Sequence, residues 1–153
     1  MLITNHVLSG AVIGAVARST PEAFGLGVVS HFALDSIPHF GVDDEHLMRI
    51  AVPDGLLGLA AIAAVARFAP RNRLLPVLAG VFGACLPDMD KPGNVFFGRS
   101  PFPGWFDRFH EDIQDEKFHL VYVEVAAATT SVLTLLALRR HLRPTRRRLT
   151  RRR

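Results

Sequence analysis

Five long apolar segments constrain the fold of this chain more than any other feature of its sequence. Runs of this length predict helices rather than strands, and two of them approach the roughly 20 residues that a helix needs to cross a bilayer. We therefore predict an all-α fold, a compact and membrane-embedded bundle of about five apolar helices. The segments cover residues 5–17, 23–38, 51–69, 74–86 and 120–138.

Charge is distributed unevenly along the chain. Residues 139–153 hold nine of the eighteen basic residues and no acidic residue, so the rest of the chain is acidic although the pI is 10.2. Such a run is typical of a disordered end that binds anionic lipid head groups beside a membrane helix. We expect a helical membrane domain at 1–138, with a long loop at 87–119, and a disordered basic tail at 139–153. Membrane lipids are the expected partners, and no nucleic acid is expected.

The arginines also predict an orientation in the membrane. If all five segments span and the tail is cytoplasmic, as the positive-inside rule requires, Arg18, Arg71 and Arg73 fall on the cytoplasmic side. The acidic 39–50 loop and the 87–119 loop then fall outside. We therefore expect a multi-pass membrane protein with a cytoplasmic C-terminus, and a compact soluble α-domain is the alternative.

Residue types that bind metals converge on the outer ends of these segments. In "SHFALDSIPHF", His31, Asp35 and His39 recur every four residues, so a helix would project them from one face. Imidazole and carboxylate are the usual mixed ligands of zinc, manganese or iron. We predict a site for one or two divalent ions, with zinc as the first choice. The same topology brings the other candidate ligands to that end: His6, Asp54, Asp88, Asp90 and either His110 or His119.

Other carboxylates are candidates for supporting roles. Asp54 and Glu111 are candidate general bases, and Glu124 is a candidate for orienting a ligand histidine. Some candidates also have purely structural explanations: Asp54 follows Pro53 and could cap a helix start, and Asp90 could belong to a turn. We expect His46 and His141 to take no part in the site.

Several of these motifs resemble those of a known family. The stretches "TNHVLSGAVIGA", "SHFALDSIPH" and "LPDMDKP", followed by a late histidine, resemble the bacterial membrane-bound metal-dependent hydrolases of the YdjM type. That family consists of inner-membrane proteins related to the all-α zinc-dependent phospholipase C proteins. The resemblance covers most of residues 3–125 and implies a divalent-metal hydrolase acting on phosphoesters or lipids. By motif position it implies metal ligands at His6, His31, Asp35, Asp88 and Asp90, followed by His39 and Asp54.

The chain departs from the family pattern after its "LPDMDKP" motif. The family often has a closely spaced histidine pair there, whereas His110 and His119 lie nine residues apart. We predict His119 as the ligand because it begins a helix. The expected function is hydrolysis by metal-activated water in the inner membrane. The alternatives are a non-catalytic metal-binding or transport protein of the membrane, or a soluble phospholipase C-like enzyme.

Overall fold

The computed structural model describes residues 1–142, and every regular element in that range is helical. The all-α prediction is thus confirmed. Short 3₁₀ turns precede the fourth, fifth and last helices. In chain order the α-helices are α1 (Ile3–Val16), α2 (Thr20–Asp35), α3 (Asp44–Phe68), α4 (Leu74–Cys85), α5 (Asp90–Phe97), α6 (Gly104–Asp112) and α7 (Val121–Leu142).

The helix count differs from the predicted five. α1 to α4 and α7 match the five apolar segments, but the stretch 87–119 is not a simple loop, because it contains α5 and α6. α5 ends at Gly98, whose φ of +67° is the left-handed conformation that glycine adopts readily. α7 continues past the predicted domain boundary at 138 to Leu142. The predicted disorder of the tail concerns residues 143–153, which lie outside the described residues.

The inner helices, α1, α2 and α4, pack closely because glycines line their contacts. A Cβ on Gly10 of α1 would lie 2.5 Å from the carbonyl oxygen of Gly80 in α4, and a Cβ on Gly27 of α2 would overlap the same oxygen. Only glycine permits such an approach of backbones, as in many tightly packed membrane helices. The core between α1 and α4 is formed by Val7, Ala11, Ala15, Val77 and Val81.

The outer helices, α3 and α7, flank α1 and expose much apolar surface. Within residues 1–142, two stretches are long and apolar enough to cross a membrane by length and composition, Glu45–Phe68 and Phe118–Arg140. Only 11% of the apolar window in each is buried. Most of the apolar surface of these two helices is therefore left uncovered by the rest of residues 1–142.

The bundle has two chemically different ends. At the end that we call the cluster end, α1 and α7 begin while α2 and α4 finish. At the opposite end, which we call the arginine end, Arg73 Nη1 donates to the Ala17 carbonyl oxygen at 2.6 Å. There the Arg139 guanidinium also lies 4.7 Å from the centre of the Phe68 ring. The fold thus places Arg73 and Arg139 at the end away from the ligand-type residues.

Candidate metal centre

Four side chains from three parts of the chain meet at the cluster end. They are His31 and Asp35 of α2, Asp88 in the 3₁₀ turn after α4, and His110 of α6. One potential ligand atom from each lies within 4.8 Å of the other three. Three of these residues are fully buried, and the side chain of Asp88 is 17% exposed. Two imidazoles and two carboxylates at this spacing could hold a metal ion.

The two imidazoles are aimed at a common point. His31 Nε2 lies 2.9 Å from His110 Nε2 and 3.1 Å from Asp35 Oδ2. On the other side of its ring, His31 Nδ1 lies 2.7 Å from the Ala84 carbonyl oxygen. A carbonyl only accepts, so Nδ1 carries the proton and donates it, and Nε2 of the neutral ring keeps its lone pair. This is the tautomer in which a histidine binds a metal through Nε2.

His6 adds a further imidazole that has no other partner. Its Nε2 lies 3.1 Å from Asp35 Oδ1 and 3.9 Å from Asp88 Oδ2, and its ring stacks on His31 with centroids 4.0 Å apart. Although the ring is fully buried, neither nitrogen forms a hydrogen bond of acceptable geometry with any described residue. An unpaired buried nitrogen destabilises the fold unless something satisfies it. A cation bound by Nε2 would do so, and the residues present therefore fit a metal.

Electrostatics at His110 indicate that the site attracts positive charge. Burial disfavours the charged ring, but the carboxylates of Asp35 and Asp90 outweigh burial and raise the pKa of His110 to about 9. Asp90 itself does not join the group of four. Its Oδ2 lies 3.4 Å from His110 Nδ1, on the side of the ring facing away from the other ligands. Asp90 thus lies beside His110 Nδ1, where carboxylates commonly orient metal-bound histidines, but their contact does not have hydrogen-bond geometry.

His39 is buried near the cluster but outside it, because α2 ends at Asp35. Its Nδ1 contacts the Ile37 carbonyl oxygen at 2.8 Å, and its Nε2 lies 2.6 Å from the Met1 amino group. Nε2 also lies 3.7 Å from Glu116 Oε1. The four-residue spacing therefore brings His31 and Asp35 together, while His39 lines the surroundings of the site.

Asp54 has a structural position at the start of α1. Its carboxylate accepts hydrogen bonds from the Ile3 amide at 2.6 Å, the Thr4 amide at 3.3 Å and the Thr4 hydroxyl at 2.6 Å. Amides at a helix start have no partner within the helix, and a carboxylate there satisfies them and the helix dipole. The expectation of a ligand or general base is thus corrected: Asp54 caps α1 from the neighbouring helix α3.

Glu124 has a similar structural position and does not orient a ligand histidine. It is buried in α7 and accepts from Asn5 Nδ2 at 2.6 Å, the Leu2 amide at 3.1 Å and the Phe40 amide at 3.3 Å. These bonds join α7 to the first turn of α1 and to the segment after α2. The carboxylate thereby holds together the chain segments around the cluster.

The structure places His110, and not His119, at the cluster. His119 lies in the 3₁₀ turn before α7 and is exposed, so the prediction of His119 as the ligand is corrected to its alternative. Glu111 is exposed on α6 and does not reach the cluster either. His46 is exposed and hydrogen-bonds to Asp43, as expected for a residue outside the site.

One polar neighbour of the cluster escaped the sequence analysis. Gln114 Nε2 donates to Asp35 Oδ2 at 3.2 Å and lies 3.2 Å from His110 Nε2. Gln114 follows His110 by four residues, just beyond the end of α6. That spacing is the only signal for it in the sequence, and it is visible only once α6 is known to be a helix.

Comparison with known proteins adds no relative: no family model, no curated protein and no solved structure matches this chain. The candidate metal centre therefore rests on residue chemistry and on the geometry of the cluster. Its spatial convergence is the main support, because the four residues are separated by as much as 79 positions in sequence.

Proposed function

We propose that this chain is a metal-dependent hydrolase of the bacterial inner membrane, of the YdjM type, acting on phosphoesters or lipid-like substrates. The observation that supports this proposal best is the buried meeting of His31, Asp35, Asp88 and His110. Nearby carboxylates raise the preference of such a site for a cation, and zinc is the first choice for two imidazoles with two carboxylates. Manganese and iron are the alternatives.

The protein groups have separate tasks in the proposed reaction. His31 and His110 would hold the cation with Asp35 and Asp88, while the Ala84 carbonyl oxygen keeps His31 in the binding tautomer. When bound, a divalent cation supplies Lewis acidity and lowers the pKa of water. His6, which contacts the second oxygen of Asp35, would be a further ligand or the support of a second ion.

A cleft of about 420 Å³ beside the cluster provides room for a substrate. Asp88 belongs to both the cluster and the cleft lining, so a molecule in the cleft would reach the proposed metal. The cleft wall is largely apolar and includes Val7, Ile50 and Ile62, whereas Lys91 lies among its polar lining residues. A phosphoester with an apolar part matches that lining, since apolar walls bind the hydrocarbon and a few polar groups fix orientation.

Glu116 replaces Asp54 and Glu111 as the proposed proton acceptor. It lines the same cleft as Asp88, whereas Asp54 is engaged at the start of α1. His39, whose Nε2 lies 3.7 Å from Glu116 Oε1, holds the pKa of Glu116 below its usual range, so the carboxylate is ionised near neutral pH. An ionised carboxylate at the cleft can accept the proton that leaves the attacking water.

The proposed location in the membrane is supported by the outer helices and the arginines. Five apolar helices would span the membrane, with the arginine end and the C-terminus in the cytoplasm, as the positive-inside rule predicts. The position of the cluster at one end of the bundle favours a metal-binding site over a path for transport through the bundle. Carbonate extraction of membranes distinguishes this proposal from a soluble phospholipase C-like enzyme, because a peripheral protein would be released into the supernatant.

The metal proposal is tested by measuring bound ions in the purified full-length protein. We expect stoichiometric divalent metal in the wild type after dialysis against zinc and then buffer, and at least a tenfold loss of affinity in His31→Ala and Asp88→Ala, about the effect of losing one ligand. His119→Ala and His46→Ala are matched controls that should keep the metal. A wild-type protein without stoichiometric metal would overturn the proposal.

Hydrolysis is tested separately with a soluble diester and a lipid phosphoester. Glu116→Gln should keep the metal content and lower the rate about 100-fold or more, the usual contribution of a general base. Metal binding without hydrolysis of either probe, or equal rates in the wild type and Asp88→Ala, would instead favour the non-catalytic metal-binding protein.

A further inference from the structure

A groove runs along α1 between the two outer helices, away from the candidate metal centre. α3 and α7 both pack mainly on α1, and a space of about 460 Å³ remains between them. Leu8 and Ala15 of α1 form its floor. The side chains on its walls are small and leave the space open; they include Ala61 and Ala64 of α3 and Ala128 of α7.

The groove is shaped and lined for a hydrocarbon chain. Between Thr4 and Ala15, the α1 residues at its two ends, the helix rises about 17 Å. Nearly all lining residues are apolar, and the polar ones are Thr4 and Arg139. The Thr4 hydroxyl already donates to Asp54 at 2.6 Å. The cationic group of the lining is therefore at the arginine end, where Arg139 borders the groove.

Arg139 is placed to bind an anion. Its guanidinium lies over the Phe68 ring at 4.7 Å, a stacking that leaves the N–H groups at its edge free to form a bidentate contact with a phosphate. Among the acidic side chains that the structure describes, none forms a salt bridge with Arg139. Arg18, Arg71 and Arg73 line a polar pocket at the same end of the bundle and add to its positive charge.

We propose that this groove binds one acyl chain of an anionic phospholipid, with the phosphate at Arg139. Charge complementarity selects this occupant. A second copy of the chain would bring another arginine end close to the first if it docked side by side in the same orientation. Residues 143–153 are unsuitable, because seven of the eleven are arginine and cannot fill an apolar groove. The lipid site is independent of the proposed hydrolase reaction.

Native mass spectrometry of the purified full-length protein in detergent tests the proposal. After delipidation, the protein is titrated with dioleoyl phosphatidylglycerol or with dioleoyl phosphatidylcholine, which have the same chains. We expect one bound phosphatidylglycerol with higher affinity than phosphatidylcholine. Arg139→Gln should lower the affinity for phosphatidylglycerol about tenfold, as expected for a lost charge-assisted contact. Arg140→Gln is the matched control, since Arg140 does not line the groove.

Filling the groove gives a second measurement. Ala61→Leu and Ala128→Leu should weaken binding of both lipids, whereas Ala60→Leu and Ala126→Leu, on exposed faces of the same helices, should leave it unchanged. Circular dichroism confirms that each variant folds. Equal affinities for the two lipids, or no effect of Arg139→Gln, would overturn the proposal. So would a dimer in the wild type that Ala128→Leu dissociates, because the groove would then be an interface between copies.

Discussion

The inner and outer helices of this bundle are built on different principles. α1, α2 and α4 approach one another so closely that a Cβ on Gly10 or Gly27 would meet the backbone at Gly80. The outer helices α3 and α7 leave most of their apolar windows uncovered. The inner helices therefore pack through close backbone contacts that require glycine. The outer helices are marked instead by apolar surface that the rest of the bundle leaves uncovered.

The inner and outer helices also differ in their polar residues: the inner ones contribute candidate metal ligands, and the outer ones contribute carboxylates that bond to neighbouring backbone. His6 and His31 stand on inner helices, while the outer helices contribute Asp54 and Glu124, which hold the start of α1. The same residue type therefore has different tasks in the two sets. The Asp35 carboxylate, on an inner helix, belongs to the cluster, whereas Asp54 and Glu124, on outer helices, accept hydrogen bonds from the start of α1.

The largest expected effect comes from adding bulk to an inner glycine. Gly80→Val should lower the free energy of unfolding by about 3 kcal/mol or more, since its side chain would overlap the Gly10 carbonyl oxygen and neither backbone can move cheaply. Gly55→Ala in α3 is the matched control. A Cβ there meets nothing within 4 Å, so the higher helix propensity of alanine should stabilise the fold by about 0.5–1 kcal/mol.

Unfolding followed by circular dichroism in one detergent measures both changes. Similar destabilisation by Gly80→Val and Gly55→Ala would contradict this difference, because the two sets of helices would then be packed alike.

A smaller effect is expected from removing the hydrogen bonds between Glu124 of α7 and the start of α1. Glu124→Ala should cost about 2 kcal/mol, because it leaves the Leu2 amide without its acceptor and removes one of the two acceptors of the buried Asn5 side-chain amide. Glu124→Gln should cost less, since an amide oxygen can still accept one of these bonds. Chemical denaturation in detergent measures the difference. A larger loss in Glu124→Gln than in Glu124→Ala would contradict the hydrogen-bonding role.

The smallest effect is expected on the exposed faces of the outer helices. Leu56 and Leu133 are 64% and 61% exposed, so their replacement by alanine in detergent should change the free energy of unfolding by no more than about 0.5 kcal/mol. Thermal unfolding of the two variants measures this. A loss above about 2 kcal/mol, the size of a buried leucine truncation, would show that another chain covers these faces.

Much of the fold could be predicted because a long apolar helix is visible as a continuous apolar stretch of the sequence. The apolar segments correspond to α1 to α4 and α7, with boundaries shifted by up to seven residues, the largest shift being at the start of α3. α5 and α6 were missed because prolines, glycines and aromatic residues in that stretch are typical of loops. Their helices depend on distant contacts, such as the packing of Phe106 on Phe32 of α2.

The candidate site was predictable in part for the same reason. The four-residue spacing of His31 and Asp35 and the position of Asp88 after an apolar helix are local signals. The choice between His110 and His119 depended on α6, which the sequence did not reveal. The cap formed by Asp54 joins residues about 50 positions apart, and no local pattern encodes such a partner.

The glycine contacts of α4 have a consequence for any cation at the cluster end. His6 and His31 stand on different helices, yet both helices are held against the same residue, Gly80. The backbone contacts therefore limit the range of distances that side-chain rotation can give between the two rings. An ion too large for that range would have to push the helices apart against backbone contacts. Discrimination between divalent ions would therefore be an elastic property of the helix packing, set one or more turns away from the ligands themselves.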